Sequence, residues 1–435
     1  MSTKAGEIKE IKVGMLGCGV VGSSVARLLT EDSGDFAERV GATLTLAQVA
    51  VRNVSTKRDS VSSSILTDDP QKVVADPSID IVIEVMGGIE PARTLLMSAI
   101  NNGKSIITAN KALLAHHGAE LFDAARKNGV DLFYEASVGG AIPILRPLRE
   151  SLVGDHVNRI MGIVNGTTNY ILTKMDEEGS DFASVLKEAQ ALGYAEADPT
   201  ADVEGHDAAA KAAILAGLAF HSRVTIDDVQ CEGISGITSR DIQVAHDIAH
   251  VIKLLAIAEK TVDDSISVRV HPTLVPRHHP LAAVRNAFNA IFVEAESAGD
   301  LMFYGRGAGG APTASAILGD LIAVARNKVR GGIGVGESDY AALPIAAVGA
   351  VKTRYLIRLD VADKPGVLAT VAQLFASHEV SIETVRQSGR GDSAELIVMT
   401  HEASESSLSA TVAALSKSAV VKSVESVLRV VGTAS

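Results

Sequence analysis

The chain has 435 residues, 47% apolar and 21% charged, enough apolar sequence for two or three domain cores. Its 52 acidic residues against 40 basic ones give a net charge of −12, and only 3% of residues are aromatic. That balance argues against nucleic acid or an anionic membrane as partner. Cys18 and Cys231 are too few for a disulfide framework, and no run of about twenty apolar residues offers a membrane span. The polar stretch from Met1 to Lys12 lacks the apolar core of a signal peptide, so a soluble cytoplasmic protein is expected.

Ile11 to Leu16 predicts a short strand, and Gly17-Cys18-Gly19-Val20-Val21-Gly22 leads from it into a helix through Leu29. As a bare pattern GxGxxG is weak. Between a strand and a helix its glycines let backbone N–H groups approach a pyrophosphate, which makes Gly17, Gly19, Val20, Val21 and Gly22 the expected cofactor contacts. A second strand, Leu44 to Val51, ends in Val51-Arg52-Asn53, with Lys57 and Arg58 following. The carboxylate that would hold a ribose 2′-hydroxyl is missing there. Arg52, with Lys57 nearby, suits a 2′-phosphate and favours NADP over NAD, a solvated loop arginine being the alternative. Asp80 to Val85 predicts a third strand, followed by a helix from Pro91. Lys104 to Thr108 and Val130 to Glu135 complete a series of strands alternating with helices, the pattern of a parallel sheet covered on both faces. Lys111 follows the fourth strand, on the side where open α/β sheets bind ligands. Glu135, with nearby carbonyls, suits a hard cation, although backbone capping is the commoner task for such a carboxylate.

From about Ile142 to Val293 helices dominate: Phe182 to Leu192, Asp207 to Phe220 and Ser239 to Glu259, with strands around Arg159 to Val164 and Ser267 to Val270. The helix from Asp207 is apolar nearly all round, and its only charges, Asp207 and Lys211, share one face. A desolvated ammonium held by a carboxylate is equipped for proton chemistry, whereas the plainer reading is a stabilising pair. Upstream, Glu196, Asp198 and Asp202 form a carboxylate cluster that fits the ammonium of an amino-acid substrate, or an ordinary acidic loop. The six histidines at 221, 246, 250, 271, 278 and 279 have no convincing metal spacing. A Gly-rich loop from Gly305 to Gly310 precedes a helix, Thr313 to Arg326, expected to return to the first domain. Gly331 to Gly336 reads as a flexible connector. The tail reads strand (Tyr355 to Asp360), helix (Pro365 to Ser377), strand (Ser381 to Gln387), strand (Ala394 to Thr400), helix (Ser404 to Ser416), strand (Val420 to Val430), a βαββαβ ferredoxin-like order. The expected fold is α/β: a Rossmann-type parallel-sheet domain over 1–141, completed by 310–348, an α+β substrate and oligomerisation domain over 142–309, and a ferredoxin-like domain over 354–435.

The glycine motif, Ala109-Asn110-Lys111, Tyr134-Glu135-Ala136-Ser137-Val138-Gly139-Gly140, Asn165-Gly166-Thr167-Thr168-Asn169-Tyr170, Gly193-Tyr194-Ala195-Glu196 and Tyr304-Gly305-Arg306-Gly307-Ala308-Gly309 together resemble homoserine dehydrogenase, from Ile11 to Val348. In the tail, Asp363-Lys364-Pro365-Gly366-Val367-Leu368 resembles an ACT domain. The resemblance implies NAD(P)-dependent interconversion of L-aspartate 4-semialdehyde and L-homoserine, in threonine and methionine biosynthesis. It implies Lys211 as acid/base and Lys111 as a second lysine between nicotinamide and substrate. Glu196 and Asp207 match substrate-holding carboxylates, with Asp202 beside them. Gly193, Gly305 and Gly309 match cofactor contacts. Glu135 with the carbonyls of Val138, Gly140 and Ile142 matches a monovalent-cation site, usually sodium. ACT modules pair between subunits and bind amino acids, which implies a homo-oligomer, dimer or tetramer, with L-threonine as effector at Asp363 and Gly366. Two alternatives stay open: another Rossmann oxidoreductase acting on an amino-acid-like substrate, and a non-enzymatic amino-acid-sensing regulator.

Overall fold

A computed structural model describes residues 9–389 and 393–431. The chain divides into two units, one of Met1–Ile160, Ala210–Asp228 and Phe288–Ala342, the other of Met161–Ala209, Val229–Ala287 and Leu343–Ser435. No helix among the described residues is long and apolar enough to cross a membrane.

The first unit is built on a six-stranded parallel sheet. In chain order its strands are β1 (Lys9–Leu16), β2 (Ala42–Ala50), β3 (Leu66–Thr67), β4 (Ile81–Glu84), β5 (Ser105–Thr108) and β6 (Leu132–Phe133), and in space they run β3-β2-β1-β4-β5-β6. The order reverses between β1 and β4, the switch point at which such sheets open a crevice beyond their carboxyl ends. Strands buried on both faces need runs of branched apolar residues, and Ile81, Val82, Ile83, Ile106 and Ile107 are all fully buried. The sheet's last strand is shorter than expected: Leu132–Phe133 pairs, and Glu135–Ser137 turns away as a single 3-10 turn. Helix Gly310–Arg330 returns to this unit and packs Ile317, Leu321 and Val324 into the same core as Val13, Met15 and Ile83. The stretch after it, expected to be a flexible connector over Gly331 to Gly336, is held at Gly334 and just beyond Gly336. Asp131 accepts the Gly334 N–H at 2.7 Å, Glu337 accepts from Arg149 at 2.6 Å and from the Tyr134 hydroxyl, and Tyr340 stacks on His221 at 4.8 Å.

In the second unit the stretch expected to be one helix over Ser239 to Glu259 is a helix and a strand. Helix Ser239–Asp247 stops near Ala249, whose φ of +57° does not continue a helix, and His250–Lys260 is a strand. Apolar runs this short do not distinguish a buried strand from a buried helix by periodicity. His250–Lys260 pairs antiparallel with Ile266–Pro276 along its whole length. Ile266–Pro276 pairs parallel with the last strand of the tail, Val421–Val430, through Thr273 with Arg429 and Leu274 with Val430. The tail has the anticipated βαββαβ order, with the sheet continuing through Lys352–Val361 and Ala394–Thr400 to Ile382–Ser388. It therefore shares one sheet with the second unit. Arg358 crosses from the tail to the buried Asp241 at 3.2 Å, and Arg240 pairs with Glu395.

Candidate active site

The glycine turn is shaped by what a side chain would strike. Gly17 has a φ of +96°, and a Cβ there would lie 2.8 Å from the Val85 carbonyl oxygen. A Cβ on Gly22 would lie 2.7 Å from the Gly17 carbonyl oxygen. At Gly19 a Cβ would meet nothing within 4 Å, so this glycine faces open space. Helix Val20–Glu31 starts there without a side-chain cap, and Val20 is 77% exposed. Helix Gly310–Arg330 also starts uncapped, at Gly309, and a Cβ on Gly310 would lie 2.8 Å from Ser24 Oγ and 3.0 Å from Val20 Cγ1. Two helix amino termini thus meet with their first N–H groups undirected to side chains, an arrangement that suits an anion such as a pyrophosphate.

At the carboxyl ends of β4 and β5 the fully buried Glu84 accepts from the Met86 N–H at 2.8 Å, the Gly87 N–H at 3.1 Å and the Thr108 hydroxyl at 2.6 Å. Asn110 caps helix Lys111–Asn128 by accepting the Leu113 N–H, and donates to the Gly88 carbonyl at 2.6 Å. These bonds set Lys111 at the first position of its helix, three residues beyond the end of β5. Sequence reasoning gave Glu84 no role, although a carboxylate closing an apolar strand was its signal. Arg52 is exposed just after β2, and Lys57 makes an exposed pair with Asp59. Arg58 instead bends back, donating to the Asn53 and Thr56 carbonyls at 3.1 and 2.8 Å and reaching the Cys18 carbonyl at 3.5 Å. Arg58 thus reaches the glycine turn itself.

Glu135 behaves as a cap. Its carboxylate accepts the N–H groups of Ile144, Leu145 and Arg146 at 2.6 to 2.8 Å, so both oxygens are committed to backbone. Its own N–H donates to Asp320 at 2.8 Å, and Asp320 also takes the Arg146 guanidinium at 2.6 Å. Complete burial pushes the Asp320 carboxyl up to about 7, with the Glu135 charge adding to the effect. A cation at this turn would have to use carbonyl oxygens. The turn through Gly139 and Gly140, with φ of +72° and +57°, lies against the Gly305–Gly309 loop: Ala141 donates to the Arg306 carbonyl, and a Cβ on Gly140 would sit 2.4 Å from the Gly307 oxygen. Among the described residues no three or more His, Cys, Asp or Glu side chains converge as for a metal ion.

Lys211 is 8% exposed on helix His206–Ala219, in the first unit. Asp207, one turn earlier on that helix, belongs with Asp202, Glu196 and Gly193 to the second unit. There Asn165 does what the sequence did not reveal. Its amide donates to Asp202 at 2.7 Å and to Asp207 at 2.9 Å, while its oxygen caps helix Gly166–Glu178 through the Thr168 N–H. Thr167 donates to the Tyr194 carbonyl at 2.6 Å, tying that helix to the loop that carries the exposed Glu196. Gly193 follows helix Phe182–Ala191 with a φ of +76°. In the tail, Gly366 opens helix Val367–Ser377 with a φ of +90° and no side-chain cap, and Asp363 accepts from Gln387 at 3.3 Å.

Residues 143–322 match the homoserine dehydrogenase family, residues 17–135 the homoserine dehydrogenase NAD binding domain, and residues 355–419 the ACT domain. The homoserine dehydrogenase of Corynebacterium glutamicum is 56% identical over 423 residues, 96% of this chain and 95% of that one. That of Mycobacterium tuberculosis is 55% identical over 438 residues, 98% of this chain and 99% of the relative. A crystal structure of a homoserine dehydrogenase from Thiobacillus denitrificans superposes with a TM-score of 0.93 at 40% identity, covering 98% of this chain and 99% of the other. With the switch-point crevice, the paired helix starts and the carboxylates clamped by Asn165 all on this chain, it belongs to the homoserine dehydrogenase family, with a carboxyl-terminal ACT domain.

Proposed function

We propose that this protein reduces L-aspartate 4-semialdehyde to L-homoserine, and catalyses the reverse reaction, with NADP as preferred cofactor. The observation that carries the reading is the buried Lys211 on an otherwise apolar helix, one turn from a carboxylate that Asn165 holds in place. When bound, the nicotinamide supplies the hydride for the aldehyde carbon and takes it back in the reverse direction. Lys211 gives a proton to the developing alkoxide, and recovers one from the homoserine hydroxyl in reverse. Lys111 adds positive field at the same oxygen. Glu196, Asp202 and Asp207 take the substrate ammonium. The pyrophosphate would lie at the starts of helices Val20–Glu31 and Gly310–Arg330, with Gly17, Gly19, Val20, Val21, Gly22, Gly193, Gly305 and Gly309 around the cofactor.

NADP preference is supported by Val51-Arg52-Asn53 just after β2, where no carboxylate stands, and by Lys57 and Arg58 following. A hyperthermophilic archaeal homoserine dehydrogenase, 27% identical with a TM-score of 0.62, is in complex with NADPH. The committed Glu135 carboxylate leaves a monovalent cation to the carbonyls of Glu135, Val138, Gly140 and Ile142, the oxygen donors sodium favours. The ACT domain takes an amino-acid effector, L-threonine, at the Asp363 to Gly366 turn, and the working form is a homo-oligomer. A direct test of the chemistry follows NADP reduction with L-homoserine as sole substrate at alkaline pH. Homoserine-dependent NADPH formation that collapses in Lys211→Met is the expected outcome. Turnover equal to wild type in that variant removes Lys211 from the mechanism.

A further inference from the structure

In the first unit a cavity of about 90 Å³ opens between helix Lys111–Asn128 and the 213–218 stretch that follows Lys211. Protein interiors are close-packed and hold few voids larger than a water molecule, so a space of this size in an apolar wall needs an occupant or an explanation. Small residues make the room: Ala115, Gly118 and Ala119 face Ala213 and Gly217 across it. Gly118 cannot be enlarged freely, because a Cβ there would lie 3.1 Å from the Phe122 ring. Leu114, Ile214 and Leu218 complete a buried apolar lining. The backbone of helix Lys111–Asn128 breaks beside it, at His117, with φ and ψ of −131° and 15°.

The rim differs in kind. Arg126 and Arg223 stand there, both exposed, and Asp123 accepts from each of them at 2.9 Å. Arg223 also donates through Nε to Asp339 at 2.9 Å. These bonds orient two guanidinium groups and use only Nε and Nη2 of Arg223, so its Nη1 keeps donors for an incoming acceptor. The third wall is the held segment Glu337-Ser338-Asp339, through which the chain passes on to the second unit. An anion at Arg223 competes with Asp339 and so acts on that segment.

We propose that this cavity is a binding site for a small carboxylic acid with a flat apolar body, the body between the two helices and the carboxylate at Arg126 and Arg223. The site is separate from the glycine turn, Lys111 and the carboxylate cluster, none of which lines it. Indole-3-acetate is a suitable probe, titrated calorimetrically into the full chain saturated with NADPH. The expected result is one probe per chain, undisturbed by NADPH. Binding should weaken roughly tenfold in Arg223→Gln or when indole replaces the acid, the loss of one charge-assisted bond. It should disappear in Ala119→Trp, which fills the space, and Ala213→Phe fills the same space from the opposite wall. Loss of binding in either variant, with wild-type circular dichroism, supports the site. Absence of binding to wild type at millimolar probe, retention in both filled variants, or displacement by NADPH overturns it.

Discussion

Lys211 shows what a sequence discloses about a single residue. One ammonium in an alanine-rich helix is conspicuous, and its burial follows from the helix being apolar on every side. Lys211→Met keeps most of the side-chain volume, so folding and NADPH binding should persist while turnover falls about 10²–10⁴-fold, as read by steady-state kinetics and cofactor titration. Asn165 is the opposite case, because its partners Asp202 and Asp207 lie 37 and 42 positions away and only the folded chain unites them. Asn165→Ser retains a helix cap but cannot reach both carboxylates. The KM for homoserine should rise roughly tenfold or more, the worth of a hydrogen bond to a charged group, with the melting temperature nearly unchanged. An unchanged KM would show that the two carboxylates hold their places unaided. Arg52→Ala should reduce kcat/KM for NADPH far more than for NADH, and equal losses would mean that Arg52 reads something other than the 2′-phosphate.

Elements were legible where period and punctuation agreed. The first sheet alternates strand and helix with glycines at the turns, and its strands fell close to their expected places. The stretch His250–Lys260 did not, because a short run of Val, Ile, Leu and Ala buried on both faces carries no period that separates strand from helix. The edge hairpin Phe288–Ala295 with Gly299–Arg306 went unread for a related reason, its glycine-rich end looking like loop alone. Helix Gly310–Arg330 bears on two measurements. Gly310→Ala forces a Cβ towards Ser24 and Val20 and should part the two helix starts, weakening NADPH binding while the isolated fold stays intact by circular dichroism. The same helix carries Asp320, whose folded-state value of about 7 lies above the ordinary 3.8. Between those limits the native state holds more protons than the unfolded one, so this group makes stability fall as pH rises from about 4 to 7. Asp320→Asn should flatten that part of the pH profile of the melting temperature; an identical slope in the variant would place the titration elsewhere.

At the scale of the whole molecule the tail was readable as a βαββαβ unit, but its attachment was not. Parallel pairing of Thr273 with Arg429 and the buried contact of Arg358 with Asp241 tie it into the sheet of the second unit. Deleting it would expose a strand edge and a buried carboxylate, so regulation is better tested with the chain entire. Asp363→Asn should raise the threonine concentration needed for half inhibition while activity without threonine is unchanged; an unaltered threonine response would move the effector site away from the Asp363 to Gly366 turn. Feedback of this kind requires threonine to bind the less active state more tightly, since equal affinity for both shifts nothing. All of this depends on the reaction itself. The decisive measurement is oxidation of NADPH by the purified chain on addition of L-aspartate 4-semialdehyde, with the product identified. The account predicts absorbance loss that needs the semialdehyde and yields one L-homoserine per NADPH consumed. No semialdehyde-dependent oxidation, or a product other than homoserine, would contradict it.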